Sequence, residues 1–268
     1  MKSSRWGTPP PFTPQGPEQS PELAHAVTLE RAFAAQLGRR KPWGTYAIVA
    51  LCVATFLLQT ALGRALDNAG VNYGLAVQHG QLWRLWSCTF LHANLIHIGG
   101  NMWVLIVLGP FVEKVIGTPR FLVLYAISGL CGSLLGGFVH PMIPSLGASG
   151  AIWGIMAAAF GIALRPQRVL PPLTAMNIKK RLLQPLLINV GLSLLPGVDA
   201  YAHLGGGLFG FLAVLSGAGT LGARPEFAGE RESLPSKTIW TVLAVAFSLA
   251  MVTSLGVALA IALHTPPT

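Results

Sequence analysis

The stretch SLGASGAIWG, residues 145–154, places Ser149 between small residues and follows it with a tryptophan four positions later. The glycines at positions 147, 150 and 154 leave little side-chain volume, so a neighbouring helix can approach this backbone closely. Such small-xxx-small spacing is a common helix-packing pattern in membranes and has no chemistry of its own. The pattern therefore predicts a tightly packed helix, and the serine within it needs a separate explanation.

The composition is typical of a membrane protein. Of the 268 residues, 52% are hydrophobic and only 10% are charged, whereas soluble domains carry about 25% charged residues. Crossing a bilayer as a helix takes about 20 mostly apolar residues. Seven segments are candidates, the second, fourth and fifth being shorter or more polar: residues 45–63, 98–112, 121–139, 148–164, 182–195, 201–220 and 238–263. We expect an all-α integral membrane protein preceded by a disordered, Pro-rich tail over residues 1–44.

Positive charge is distributed unevenly between the two sides of this topology. Of the 18 lysines and arginines, all but Arg64 and Arg84 lie in the tail and in every second connection. The positive-inside rule then places the N-terminus in the cytoplasm. The net charge of +9 is explained by topology, so it does not indicate nucleic-acid binding. Contact with anionic lipid is an alternative role for the cluster at residues 179–181, and we favour a plain topological anchor. We expect a multi-pass protein of a bacterial inner (plasma) membrane.

Polar side chains recur at one end of the second, fourth and sixth spans. The second span begins with HIGGNMW, which contains His97 and Asn101; the fourth begins at Ser149; the sixth begins with AYAHLGGG, which contains His203. Because these three spans run in the same direction, their polar residues are expected at the same depth near the outer face. Polar groups inside a membrane are costly and are functional-site candidates by default. The alternative is that each forms an ordinary interhelical hydrogen bond.

The residue types at this depth suit acyl transfer. A serine hydroxyl becomes a useful nucleophile when an adjacent imidazole takes its proton, and Ser149 and His203 supply that pair. Attack on an amide develops negative charge on oxygen, which needs donors aimed at it. The Asn101 amide, the His97 ring N–H and the backbone N–H groups of Ser149 and Ala148 are candidates, because the first amides of a helix lack helical partners.

Three motifs follow one another along the chain: HANLIHIGGNMW at residues 92–103, GASG at residues 147–150 and AHLGGGLFG at residues 202–210. In this order they resemble the rhomboid family of intramembrane serine proteases. Upstream, Trp83 and Arg84 in QLWRLW are similar to the tryptophan-arginine motif of the family's first external loop. The resemblance covers residues 45–220 and implies a six-helix catalytic core. A linker over residues 221–237 and a seventh helix with a short external tail over residues 238–268 would follow it.

The resemblance also implies an activity and roles for individual residues. Ser149 would be the nucleophile, His203 the general base and acid, and Asn101 and His97 oxyanion stabilisers, with no cofactor and no metal. Substrates would be transmembrane segments of other proteins, cut near the outer membrane face. Residues 64–95 would form a half-buried loop, and residues 182–195 the family's fifth helix. Supporting roles fall to Gly147 in the loop before the serine, to His92, to Arg84 in a loop-holding network and to Trp153.

Two positions allow more than one interpretation. Trp153 stands where many family members have tyrosine; its indole can stack on the histidine, or it can be ordinary core filling. Asp199 lies one helical turn before His203, so it can orient the imidazole as in a catalytic triad. Asp is also a frequent helix N-cap, and we favour that role.

Other functions remain as alternatives. A catalytically weak rhomboid-like protein that binds or escorts membrane clients would use the same groove, although such a protein is expected to lose the serine or the histidine. A transporter would continue polar residues into the cytoplasmic half, whereas MWVLIVLG at residues 102–109 is apolar. A metal site formed by His92, His97 and His203 lacks the HExxH pattern of membrane metalloenzymes.

Overall fold

The computed structural model describes residues 21–164, 169–216, 228–229 and 233–265. Within these ranges the regular elements are helical, apart from one isolated antiparallel bridge between Asn72 and Ser145. The helices are α1 Pro21–Arg39, α2 Trp43–Leu62, α3 Arg64–Gly70, α4 Gly74–Gln78, α5 Arg84–Ser87, a 3₁₀ turn Cys88–Phe90, α6 Leu95–Ile116, α7 Thr118–Val139, α8 Ser149–Leu164, α9 Pro172–Ser193, α10 Ala200–Leu215 and α11 Leu234–His264.

Within the described ranges, four helices are long and apolar enough to cross a membrane, namely α2, α6, α7 and α11. Two further helices, α8 and α10, are apolar but have only 16 residues each. All six overlap segments that the sequence predicted as spans. The chain is therefore an all-helical, multi-pass integral membrane protein over the described residues.

The fifth predicted span differs from the structure. The sequence predicted a crossing segment over residues 182–195, but α9 begins ten residues earlier, at Pro172, and ends at Ser193. Lysine and arginine are good helix formers, so the charges at positions 179–181 lower the hydropathy without ending the helix. Of the α9 residues, only Ala175 and Ser193 are buried. The helix therefore lies at the margin of the bundle.

The N-terminal segment also differs from the prediction. A disordered tail was expected over residues 1–44, yet α1 occupies Pro21–Arg39 with an acidic residue in its first turn and a basic one in its last. The Pro-rich composition stops near position 21, and the strong helix formers of LERAFAAQLGRR follow it. Residues 1–20 lie outside the described residues, as do residues 217–220 of the sixth span, most of the 221–237 linker and residues 266–268.

Glycines bring α8 and α10 into backbone contact. A Cβ added at Gly206 would overlap the carbonyl of Gly150, and one added at Gly210 would overlap the carbonyl of Gly154. The tight packing that the small residues of positions 147–154 predicted is confirmed, and the neighbouring helix is α10. Since any larger residue would force the backbones apart, the glycines determine how near the N-termini of α8 and α10 lie.

Short helices and turns fill the connection between α2 and α6. Leu66, Leu85, Phe90 and Leu91 of this connection are buried, so a segment that cannot span the bilayer still contributes apolar side chains to the core. The long helix α11 packs over the same region, with Ala258 and Ala262 in one cluster with Leu66 and Leu91. Irregular backbone of this kind is tolerated near a membrane when protein covers it.

Candidate active site

Ser149 and His203 form a hydrogen bond between the first turns of two helices. Ser149 is the first residue of α8, and His203 lies in the first turn of α10. The Ser149 Oγ and His203 Nε2 atoms are 2.8 Å apart. Both side chains are partly exposed, so a reacting group can approach them.

A second serine contacts the other nitrogen of the same imidazole. The His203 Nδ1 atom lies 2.7 Å from the Oγ atom of Ser193, the last residue of α9. Sequence reasoning missed Ser193. No motif marks this position, and its contact depends on how the connection over residues 194–199 folds the end of α9 back against α10.

The Trp153 indole lies one turn further along α8 than Ser149. Its ring stacks on the His203 imidazole with 5.5 Å between centroids and 26° between planes. The stacked ring limits rotation of the imidazole about its side-chain bonds, so the histidine is held on two sides, by Trp153 and by Ser193.

Asp199 caps α10, as its position predicted. Its Oδ1 atom accepts the backbone N–H of Ala202 at 2.9 Å. A cap of this kind satisfies one of the free amides at the helix start. The carboxylate is therefore engaged with the backbone, while Nδ1 of His203 is paired with Ser193.

The loop before Ser149 lies against His97 and Asn101. Gly147 has a φ angle of +125°, and a Cβ added there would lie 2.7 Å from His97 Nε2 and 3.5 Å from Asn101 Nδ2. The N–H of Gly147 donates to the Cys88 carbonyl at 2.9 Å, which fixes the loop. A glycine is needed because a side chain here would be strained and would strike the histidine.

Donors are available around this loop. The Nδ2 atom of Asn101 is buried without a hydrogen-bond partner among the described residues, a state that costs free energy unless a ligand satisfies it. The Ala93 N–H is directed at His97 Nδ1, 3.5 Å away, which leaves the ring proton on Nε2, beside Gly147. The Ala148 carbonyl accepts the first helical bond of α8, from Ile152. Because α8 begins at Ser149, the helix supplies no carbonyl acceptor for the Ser149 N–H, which is therefore a candidate donor to a substrate.

The backbone of His92 is hydrogen-bonded to the Gln59 side chain of α2, which holds the segment just before α6 in place. Its backbone N–H donates to Gln59 Oε1 at 3.0 Å, and its carbonyl accepts from Gln59 Nε2 at 3.2 Å. Its ring lies edge-on to His97, with 5.2 Å between centroids. Burial is the main reason that the pKa of His92 is lowered to about 4, so the ring is neutral near neutral pH.

Arg84 holds the connection between α2 and α6 through three hydrogen bonds. Its guanidinium donates to the carbonyls of Val71 and Asn68, both at 2.8 Å, and to Gln81 Oε1 at 2.6 Å. The adjacent Trp83 indole donates to the Ala69 carbonyl at 3.0 Å. The two side chains thus bridge α3 to the turn that precedes α5.

The chain is similar to a family of known proteins. The chain matches the family model for the Rhomboid domain over residues 79–218. Rhomboid protease GluP of Bacillus subtilis is 31% identical over 77% of this chain and 40% of its own length. RHOMBOID-like protein 1 of Arabidopsis thaliana is 33% identical over 61% of this chain and 45% of its own length. Rhomboid-like protease 3 of Toxoplasma gondii is 30% identical over 64% of this chain and 66% of its own length.

This chain spans between about two fifths and two thirds of the length of these three relatives. The matched range nevertheless extends from the connection before α6 to the end of α10, and it includes Ser149 and His203. The family includes serine proteases that act within membranes. This chain therefore belongs to the rhomboid family.

Proposed function

We propose that this protein is an intramembrane serine endopeptidase that cuts transmembrane segments of other membrane proteins near the outer membrane face. The observation that supports this most strongly is the 2.8 Å separation of Ser149 Oγ and His203 Nε2. Hydrogen-bond contact between a hydroxyl and a neutral imidazole is the arrangement that activates a serine nucleophile.

In the proposed acylation step, His203 Nε2 takes the proton of Ser149 as Oγ bonds to the carbonyl carbon of the substrate. The carbonyl π electrons move to oxygen, and the oxyanion accepts hydrogen bonds from Asn101 Nδ2, His97 Nε2 and the Ser149 backbone N–H. When the tetrahedral intermediate collapses, the C–N bond breaks and Nε2 returns the proton to the leaving amine. The product is an acyl ester on Ser149.

Water completes the proposed cycle. His203 Nε2 takes a proton from a water molecule while the water oxygen bonds to the ester carbon. The same three donors stabilise the second oxyanion. The C–Oγ bond then breaks, and Nε2 gives the proton back to Ser149. One peptide bond and one water molecule have been converted into a carboxyl group and an amine, and the enzyme is unchanged.

The proposed topology follows from charge and helix direction. With the N-terminus in the cytoplasm, as the positive-inside rule predicts, the N-termini of α6, α8 and α10 lie towards the outer face. The proposed core contains six membrane helices, α9 among them, and α11 adds a seventh. A bacterial inner membrane is the expected location, with lipid and transmembrane substrates as partners.

A rhomboid-like protein that binds clients without cutting them is the competing function. The intact Ser149–His203 pair and the Asn101 Nδ2 atom, which has no hydrogen-bond partner in the described part of the chain, favour catalysis, since a binding protein needs neither. Treatment of the detergent-solubilised protein with a fluorophosphonate, followed by peptide mass spectrometry, tests the nucleophile. We expect phosphonylation of Ser149, and its loss in the His203→Ala variant. An unmodified Ser149 in the wild-type protein would contradict the proposal.

A further inference from the structure

We propose that Ser193 is a positioning residue that sets the tautomer and orientation of the His203 imidazole. This inference rests on the proposed function, and it assigns to the end of α9 the task that a carboxylate performs in a catalytic triad. The Ser193 Oγ atom is 2.7 Å from His203 Nδ1. Ser193 is one of only two buried residues of α9, the other being Ala175.

The direction of the hydrogen bonds around Ser193 can be deduced from its partners. The same Oγ atom lies 2.8 Å from the backbone carbonyl of Asn189, one turn earlier in α9. A carbonyl oxygen can only accept, so the single hydroxyl proton of Ser193 is donated to Asn189. Towards His203, Ser193 therefore acts as an acceptor, and Nδ1 must supply the proton of that bond.

The protonation pattern of Ser149 and His203 follows from the direction of these hydrogen bonds. A neutral imidazole has one N–H, and when it is on Nδ1 the Nε2 atom has a free lone pair. Nε2 is the atom that lies 2.8 Å from Ser149 Oγ. The hydroxyl of Ser149 thus donates to Nε2, Nδ1–H donates to Ser193, and Ser193 donates to Asn189. All three hydrogen bonds therefore have the direction that general-base catalysis by His203 needs.

Ser193 continues to act after proton transfer. Once Nε2 has taken the Ser149 proton, the imidazole is a cation and both of its nitrogens are donors. The bond from Nδ1–H to Ser193 Oγ then becomes charge-assisted and stronger. Ser193 stabilises the cation as a neutral dipole and does not take the proton, because a hydroxyl oxygen is far less basic than an imidazole nitrogen; its own proton remains on Oγ and is donated to the Asn189 carbonyl.

The nearby carboxylate does not compete for this role. Asp199 Oδ1 accepts the N–H of Ala202 at the start of α10, and Nδ1 is already paired with Ser193. The base is consequently oriented by the end of a marginal helix. If the C-terminal end of α9 moves away from α10, Nδ1 loses its acceptor and the imidazole can rotate or change tautomer.

The test compares Ser193→Ala and Ser193→Thr with the wild-type protein. Thr241→Ala is a matched control, because Thr241 makes the same bond to a carbonyl one turn earlier, that of Lys237, on the exposed surface of α11. Cleavage of a transmembrane substrate in detergent gives kcat and KM. We expect Ser193→Ala to lower kcat about tenfold, the effect of one lost hydrogen bond, with KM within about twofold. Ser193→Thr should restore at least half of the activity.

A spectroscopic measurement tests the tautomer directly. In protein labelled with ¹⁵N-histidine, the His203 signals are assigned by their absence from His203→Gln. We expect an Nδ1–H tautomer in the wild type and in Ser193→Thr, and a mixture of tautomers in Ser193→Ala. An Nε2–H tautomer in the wild type, or an unchanged tautomer and kcat in Ser193→Ala, would overturn the inference.

The two proposals fail in different ways. If the wild-type protein neither cleaves substrate nor reacts with a fluorophosphonate at Ser149, the proposed function fails, whatever the tautomer. If the wild type is active and labelled but Ser193→Ala matches it in kcat and in labelling rate, only the role of Ser193 is wrong. Thr241→Ala should match the wild type in every measurement.

Discussion

Ser149 Oγ and His203 Nε2 are in hydrogen-bond contact at 2.8 Å although 54 positions separate the two residues along the chain. The contact exists because α8 and α10 approach one another backbone to backbone, with Gly206 against Gly150 and Gly210 against Gly154. Both side chains of this pair belong to a first helical turn, where free backbone amides are also available. Helix packing and the proposed chemistry thus depend on the same glycines.

The contact between Gly206 and Gly150 should be essential for both stability and activity. A methyl group at Gly206 would overlap the Gly150 carbonyl, so Gly206→Ala must separate α8 from α10. We expect the free energy of unfolding to fall by about 1–3 kcal/mol and proteolysis to fall at least tenfold. Gly256→Ala on α11 is the control, because no atom of the residues that the structure describes lies within 4 Å of a Cβ there. Equal free energies of unfolding and equal proteolysis rates in Gly206→Ala and Gly256→Ala would contradict this role of the Gly206–Gly150 contact.

Asn101 should contribute to catalysis without contributing much to stability. Its Nδ2 atom has no hydrogen-bond partner among the described residues, so Asn101→Ala removes a donor that folding does not use. Loss of one oxyanion donor typically lowers kcat by about 10²–10³. Thermal unfolding of Asn101→Ala should occur within a few degrees of the wild type, and exposed Asn68→Ala is the control. A variant that unfolds easily but retains kcat would argue against an oxyanion role.

His92 should make the protein less stable in acid. Burial lowers its pKa to about 4 in the folded protein, from 6.5 as the ordinary value. Between those pH values the unfolded chain binds more protons, so the free energy of unfolding decreases as the pH falls from about 7 to 4 and levels off below. At pH values below about 4, His92 lowers the free energy of unfolding by about 3 kcal/mol relative to its value at pH 7. Unfolding in mixed micelles at pH 7, 5.5 and 4 should show a smaller pH dependence in His92→Gln, and an identical dependence would exclude this cause.

Asp199 should matter for the start of α10 more than for the proton transfer. Because its carboxylate caps Ala202, Asp199→Ala is expected to cost about 1 kcal/mol of stability and to change kcat by less than about threefold. Asp199→Asn keeps a capping oxygen and should restore the stability. Large loss of kcat in both variants at unchanged unfolding temperature would instead assign Asp199 to the catalytic machinery.

The sequence was sufficient to predict the main pair because each partner is polar in an apolar span and lies beside small residues. Depth along the membrane could be inferred from charge asymmetry, and that placed Ser149 level with His203. Ser193 could not be found in this way, because its contact with His203 depends on the conformation of residues 194–199, which the sequence pattern does not predict. The helix α1 was missed for a different reason. The Pro-rich composition of the first 20 residues was extended over a following segment with high helix propensity.

Proteolysis in a lipid bilayer tests the central claim most directly. Wild-type protein and the Ser149→Ala and His203→Ala variants are reconstituted into liposomes with a transmembrane substrate, and the products are measured by mass spectrometry. We expect one cut near the outer end of the substrate helix in the wild type. Both variants should be slower by at least about 10⁴-fold. Cleavage by Ser149→Ala at the wild-type rate would show that Ser149 is not the nucleophile.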